Sequence, residues 1–149
     1  MAQLPTAGLA VSFVIRSRGA LTLPQRSLIA VVDDDDSVRE AVTGLMKSFG
    51  YRAVAFTRAE EFLNSTELRN TACLVADVQM PGMTGPELQS RLLASGESIP
   101  TILITAYPDQ AVRARALRNG VKCYLAKPFR DEELLDCIRS ALDSYASDS

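Results

Sequence analysis

Short apolar runs alternate with stretches of helical rhythm from Leu28 to the end of the chain, and no other feature limits the fold so tightly. Leu28-Ile29-Ala30-Val31-Val32 is uninterrupted and apolar, the pattern of a strand buried on both faces. Asp35, Asp36 or Ser37 can cap the helix that follows, whose apolar positions Val38, Val42, Leu45, Met46 and Phe49 recur with a helical period until Gly50. Tyr51 to Phe56 reads as a second strand, and Ala59 to Leu63 as the start of a short helix. Cys73 to Ala76 reads as a third strand, stopped by Asp77 and a Pro81-Gly82 loop. Thr84 or Gly85 precedes a helix with Leu88, Leu92 and Leu93, and Pro100 opens a strand over Thr101 to Ile104. A helix from about Asp109 ends at Asn119-Gly120, before a strand over Lys122 to Leu125. Pro128 breaks the chain, and Asp131 begins a last helix with Leu134, Leu135, Ile138 and Leu142. Five strands alternating with five helices, without internal repeat, predict an α/β fold with a doubly wound parallel sheet covered on both sides.

A chain of 149 residues is about one domain and needs no staple to build a core. The domain is expected over residues 28–146, with a polar tail at 147–149 and an extension at 1–27. That extension holds Arg16, Arg18 and Arg26 and no acid, so with a net charge of −2 overall the remainder carries −5. An acidic domain without a basic stripe argues against nucleic-acid binding, which needs clustered Lys and Arg. The apolar stretch Ala7 to Ile15 has its arginines on the wrong side for a secretory signal and is too short to span a bilayer. A disordered extension, a misplaced start codon and a short segment packed on the domain remain open. Cys73, Cys123 and Cys137 are odd in number, lack metal-ligand spacing and have no histidine to join them, so they are expected as reduced, packed thiols of a cytoplasmic protein.

Parallel strands end at one edge of their sheet, so the residues that follow the runs meet in one crevice. These residues are Asp33-Asp34, Asp77, Thr105 and Lys127. Any one of them has an ordinary explanation as a turn former, a cap or a surface charge. Together they do not, because carboxylates about 4 Å apart repel by roughly 4 kcal/mol at an effective dielectric near 20. Three converging acids call for a cation, and Lys127 offsets part of that charge. Magnesium suits the rest, since it takes oxygen ligands and bridges carboxylates to phosphate. Asp35 and Asp36 are assigned instead to the following helix, as cap and as favourable charge at its N-terminus. A phosphate formed on Asp77 needs a charge partner and a hydroxyl donor, which Lys127 and Thr105 supply.

Four segments carry a family resemblance: VVDDDDSVR at Val31 to Arg39, ADVQMPGMTG at Ala76 to Gly85, ITAY at Ile104 to Tyr107 and YLAKPF at Tyr124 to Phe129. In this order and spacing the chain, from about Leu28 to Tyr145, resembles the receiver domains of two-component response regulators, most closely those of the nitrogen-fixation and nodulation type. The resemblance implies a flavodoxin-like (βα)5 fold of strand order 2-1-3-4-5. It implies Asp77 as phosphoacceptor and a magnesium site at Asp33, Asp34, Asp77 and the carbonyl of Gln79. Lys127 would bind phosphoryl oxygens, Thr105 would follow the phosphate, and Tyr124 would change rotamer with it. Gln79 and Tyr107, two positions beyond the phosphoacceptor and the switch threonine, would tune the lifetime of the phosphate. A DNA-binding output domain often follows such receivers, and none is expected here.

The chain has no histidine, so a donor phosphohistidine must belong to a sensor kinase or phosphotransfer protein. Val42, Thr43 and Met46 with Phe129 and Arg130 are expected to form part of the surface that meets it, with a core position as the alternative for Val42 and Met46. Arg113, Arg115, Arg118 and Lys122 against Asp131, Glu132 and Glu133 suggest a phosphorylation-dependent homodimer through the last two helices and the strand between them. A phosphatase that passes through an aspartyl phosphate is the competing enzyme reading. Haloacid-dehalogenase-like enzymes place an acid two residues after the nucleophile, and Gln79 stands there. A binding module that has lost phosphorylation is the third reading, opposed by the intact set of site residues. The expectation is a non-enzymatic, phosphoaccepting switch with no membrane association.

Overall fold

The computed structural model of the chain describes residues 14–15, 21–22 and 26–148. Ahead of the domain, β1 (Val14–Ile15) pairs antiparallel with β2 (Leu21–Thr22). Residues 1–13, 16–20 and 23–25 of the expected extension, and Ser149 of the expected tail, lie outside the described residues.

The domain then alternates β3 (Leu28–Val32), α1 (Asp36–Ser48), β4 (Arg52–Phe56), α2 (Ala59–Leu63), β5 (Thr71–Asp77), α3 (Gly85–Ala94), β6 (Thr101–Thr105), α4 (Gln110–Arg118), β7 (Cys123–Ala126) and α5 (Asp131–Asp148). The five strands β3 to β7 form one parallel sheet in the order β4-β3-β5-β6-β7, which is 2-1-3-4-5 counted from β3. β5 starts two residues before the expected Cys73, and α5 runs through Asp148 into the expected polar tail.

Strand alternation divides the core between two faces. Ile29, Val31, Val75, Ile102 and Ile104 pack with Val42 and Met46 of α1 and Leu134 and Ile138 of α5. Ala30, Val32, Leu74 and Leu103 pack with Phe62 of α2, Leu88 and Leu92 of α3 and Ala116 of α4. Both faces of β3, β5 and β6 are covered, which is why these strands read as unbroken apolar runs.

Side-chain caps fix where the helices begin. Asp35 accepts a hydrogen bond from the Ser37 N–H at 2.8 Å and so caps α1. Thr84 and Glu87 cap α3 reciprocally, and Asp109 accepts from the N–H groups of Ala111 and Val112 at α4. Loss of one such cap costs about 1 kcal/mol.

The cysteines depart from expectation. Cys73 is a buried free thiol, but Cys123 and Cys137 are joined as a disulfide with their α-carbons 6.1 Å apart. No spacing signal marks the pair, because it arises from α5 packing back against β7 rather than from any local pattern. Cys123 and Cys137 belong to the same apolar cluster on the α1–α5 face.

Candidate functional site

Sheet register brings the polar residues together. Val32 lies beside Ala76, so Asp33 follows β3 at the level of Asp77, the last residue of β5. Asp77 lies beside Ile104, so Thr105 is one step further along β6, and Thr105 lies beside Ala126, which places Lys127 just past β7. All occupy the carboxyl edge of the sheet.

Asp33, Asp77 and Thr105 are buried, Lys127 is half-buried and Asp34 is exposed. The Lys127 ammonium is 3.0 Å from Asp33 Oδ2 and 3.4 Å from Asp77 Oδ2. Asp33 also accepts from the Asp35 N–H at 2.9 Å, and Asp77 from the Gln79 N–H at 3.3 Å. One carboxylate oxygen from each of Asp33, Asp34 and Asp77 lies within 4.8 Å of the others. Lys127 is followed by a cis peptide bond to Pro128, and its N–H donates to the Thr105 carbonyl at 2.7 Å.

Burial, then the charge of Asp33, pushes the Asp77 pKa up to about 6 although Lys127 and the Gln79 N–H pull it down. Burial alone would lower the Lys127 pKa, yet its bond to Asp33 and the charges of Asp33 and Asp77 raise it overall. The lysine therefore stays charged at neutral pH. One ammonium facing three carboxylates leaves negative charge uncompensated, and oxygen ligands this close fit a small divalent cation.

The residues expected to act as a switch, Thr105 and Tyr124, are linked through the chain after β6. The Thr105 hydroxyl accepts from the Tyr107 N–H at 2.9 Å and reaches Gln79 Oε1 at 3.5 Å. The Tyr124 hydroxyl, on the opposite side of β7 from Cys123, accepts from the Asp109 N–H at 3.1 Å at the start of α4. Gln79 is exposed, and the Tyr107 side chain stands in solvent with 72% of the residue accessible.

Met46 has no accessible surface and Val42 has 2%, so both belong to the core. For Met46 the expectation of a docking surface is corrected, because the apolar stripe of α1 faces the sheet; Val42, although packed in the core, also lines the groove between α1 and the segment after Lys127. Thr43 and Phe129 are half-buried and Arg130 is exposed.

Two supporting residues were missed. Arg39 donates to the Asp33 carbonyl at 2.7 Å and pairs with Asp36, so it braces the loop that carries Asp33 and Asp34. Its only sequence signal was a position one helical turn after the acidic run. Gly85 begins α3 so close to β5 that a Cβ atom there would lie 2.4 Å from the Asp77 carbonyl oxygen. Any side chain at residue 85 would displace the helix or the phosphoacceptor candidate.

Residues 29–139 match the family model of the response regulator receiver domain. The chain belongs to that family. It is 42% identical over 118 residues to the response regulator protein TmoT of Ectopseudomonas mendocina, covering 79% of this chain and 54% of TmoT. Nodulation protein W of Bradyrhizobium diazoefficiens is also 42% identical over 118 residues, covering 79% of this chain and 52% of that protein. The receiver thus spans about half the length of the curated relatives it matches. Among solved structures, response regulator StyR superposes with a TM-score of 0.77 at 40% identity, over 83% of this chain and 62% of that one. FixJ-N superposes with a TM-score of 0.72 at 29% identity, over 80% of this chain and 96% of that one. Among the described residues no helix is long and apolar enough to cross a membrane.

Proposed function

We propose that this receiver accepts a phosphoryl group on Asp77 from a phosphohistidine of a sensor kinase or phosphotransfer protein, and signals by a change of surface. The observation that carries the reading is the convergence of Asp33, Asp34, Asp77, Thr105 and Lys127 at one sheet edge. An Asp77 carboxylate oxygen attacks the phosphorus in line, the new P–O bond forms as the P–N bond breaks, and the electron pair stays on the departing imidazole. Lys127, already within 3.4 Å of Asp77, offsets charge on the phosphoryl oxygens. Asp33, Asp34, Asp77 and the Gln79 carbonyl would hold magnesium, which supplies further charge neutralisation at those oxygens.

With phosphate on Asp77, the Thr105 hydroxyl donates to a phosphoryl oxygen while its own oxygen still accepts from the Tyr107 N–H. Tyr107 is drawn along, and the loop leading to α4 moves with it. Tyr124 is tied to that loop through the Asp109 N–H, so its rotamer follows. The protein acts as a phosphoacceptor rather than a turnover enzyme, because Gln79 offers no acid or base where a phosphatase needs one.

The partner kinase would meet the α1 side of the site. A groove of about 370 Å³ runs between α1 and the segment after Lys127, lined by Val38, Ala41, Leu45, Phe129 and Leu134. Thr43, half-buried, and Arg130, exposed, are sequence neighbours of its lining residues and would form its polar rim. Beside β7, Arg113, Arg118 and Lys122 are exposed, whereas Arg115 lines the groove between α3 and α4. None of Arg113, Arg118 and Lys122 is in an ion pair among the described residues, which leaves them free to meet Asp131 and Glu132 of a second copy after phosphorylation. A cytoplasmic location, where sensor kinases present their phosphohistidine, completes the reading.

Transfer from candidate phosphorylated kinases, followed by intact mass, tests the chemistry. The expected result is a gain of one phosphoryl group by the wild type and none by Asp77→Asn. Labelling of the Asn variant to the same extent would refute Asp77 as the acceptor.

A further inference from the structure

Two of the three cysteines sit where they can act on the switch. Cys123 opens β7 and Cys137 lies in the middle of α5, 14 residues later. The ring their disulfide closes contains Tyr124, Lys127, Pro128 and the first turns of α5. Successive side chains of β7 point to opposite faces, with Cys123 facing α5 and Tyr124 facing α4 on the other side of the sheet. A bond at Cys123 therefore restrains the residue next to the switch aromatic and the strand that delivers Lys127.

We propose that Cys123 and Cys137 form a reversible redox switch, whose oxidation clamps β7 to α5 and suppresses the movement of the Tyr124–Lys127 segment. In the forward step two S–H bonds break and one S–S bond forms. Two electrons and two protons pass to a peroxide, which becomes two molecules of water, or to a small-molecule disulfide, which becomes two thiols. A dithiol reductant reverses it. In a reducing compartment such a bond is transient, which suits a sensor rather than a staple. Cys137 is 8% exposed and Cys123 is half-buried, so neither is sealed off as completely as Cys73, which has no accessible surface. Cys73 is fully buried, and desolvation pushes its thiol up to about 12, so it stays protonated and inert as an internal control.

The consequence for signalling rests on the phosphoacceptor reading, and the clamp itself is tested apart from it. The wild-type receiver is treated with oxidised glutathione or with dithiothreitol, and thiols are counted in denaturant. One thiol is expected in the oxidised form and three in the reduced form, with a peptide cross-linked between Cys123 and Cys137. Amide exchange over residues 122–130 is expected to be at least about tenfold slower in the oxidised form. That difference should vanish in both Cys137→Ala and Cys123→Ala. Three thiols after oxidation, or equal exchange in the two redox forms, overturns the proposal. Beryllofluoride with magnesium, a phosphoryl mimic, is then added to each form. It should change exchange at Tyr124 in the reduced form and several-fold less in the oxidised form, and an equal response in the two forms also overturns the proposal. If beryllofluoride moves neither form, the phosphoacceptor reading fails while the first comparison still decides the clamp.

Discussion

Asp77 is placed under electrostatic load before any phosphate arrives. Its folded pKa of about 6 lies above the ordinary 3.8, so the native state holds this proton more tightly than the unfolded chain does. Stability attached to the group is complete below about pH 4, falls as pH rises towards 6, and is level above that. With divalent ions chelated, Asp77→Asn should therefore melt above the wild type at pH 7.5, and the advantage should disappear near pH 4. Discounted for solvent access to about 1 kcal/mol, the gain corresponds to a rise of about 4 °C. Equal melting curves at pH 7.5 would show that the carboxylate is not strained. Asp33, Asp77, Thr105 and Lys127 were legible in the sequence because each follows an apolar run at a strand end. Arg39 and Gly85 were not, because one acts by bracing a loop and the other by having no side chain to place against the Asp77 carbonyl.

At the scale of elements, the loop from Thr105 to Asp109 and the rim of α1 carry the testable roles. Tyr107 is bound to Thr105 through its N–H, so its ring is expected to move towards the phosphate when Thr105 does, and to restrict the water that approaches in line. Tyr107→Ala should shorten the life of the phosphorylated state, measured after removal of donor in excess magnesium. Decay at the wild-type rate or slower counts against gating by Tyr107. Charge substitutions at Thr43 and Arg130 should slow transfer from the cognate kinase by about tenfold or more while leaving labelling by a small-molecule donor unchanged. Equal loss with both donors would mean that the substitutions damage the site rather than the docking rim. The helical period placed Met46 on the apolar stripe of α1, but periodicity alone does not say whether such a residue packs inward or lines a groove. The sheet decides it, by covering Met46 completely. The Cys123–Cys137 pair was hidden for a similar reason, since nothing local relates a strand residue to a helix residue 14 positions on.

For the whole molecule, a divalent ion should act as a ligand of the native state. Millimolar magnesium is expected to raise the melting temperature of the receiver through binding to the folded form alone. Asp34→Ala, at the exposed corner of the acid cluster, should melt higher than the wild type without metal and gain less from it. Melting curves that ignore magnesium would remove the cation from the site. The ion pair between Asp33 and Lys127 joins positions 94 residues apart, from β3, an inner strand of the sheet, to β7, at its edge. During synthesis the acids therefore leave the ribosome long before the lysine does. A nascent or truncated chain that ends before β7 has Asp77, the proposed acceptor, but neither the ammonium nor the strand that aims it. The capacity to signal arrives with the last βα unit, which makes it a property of finished molecules only.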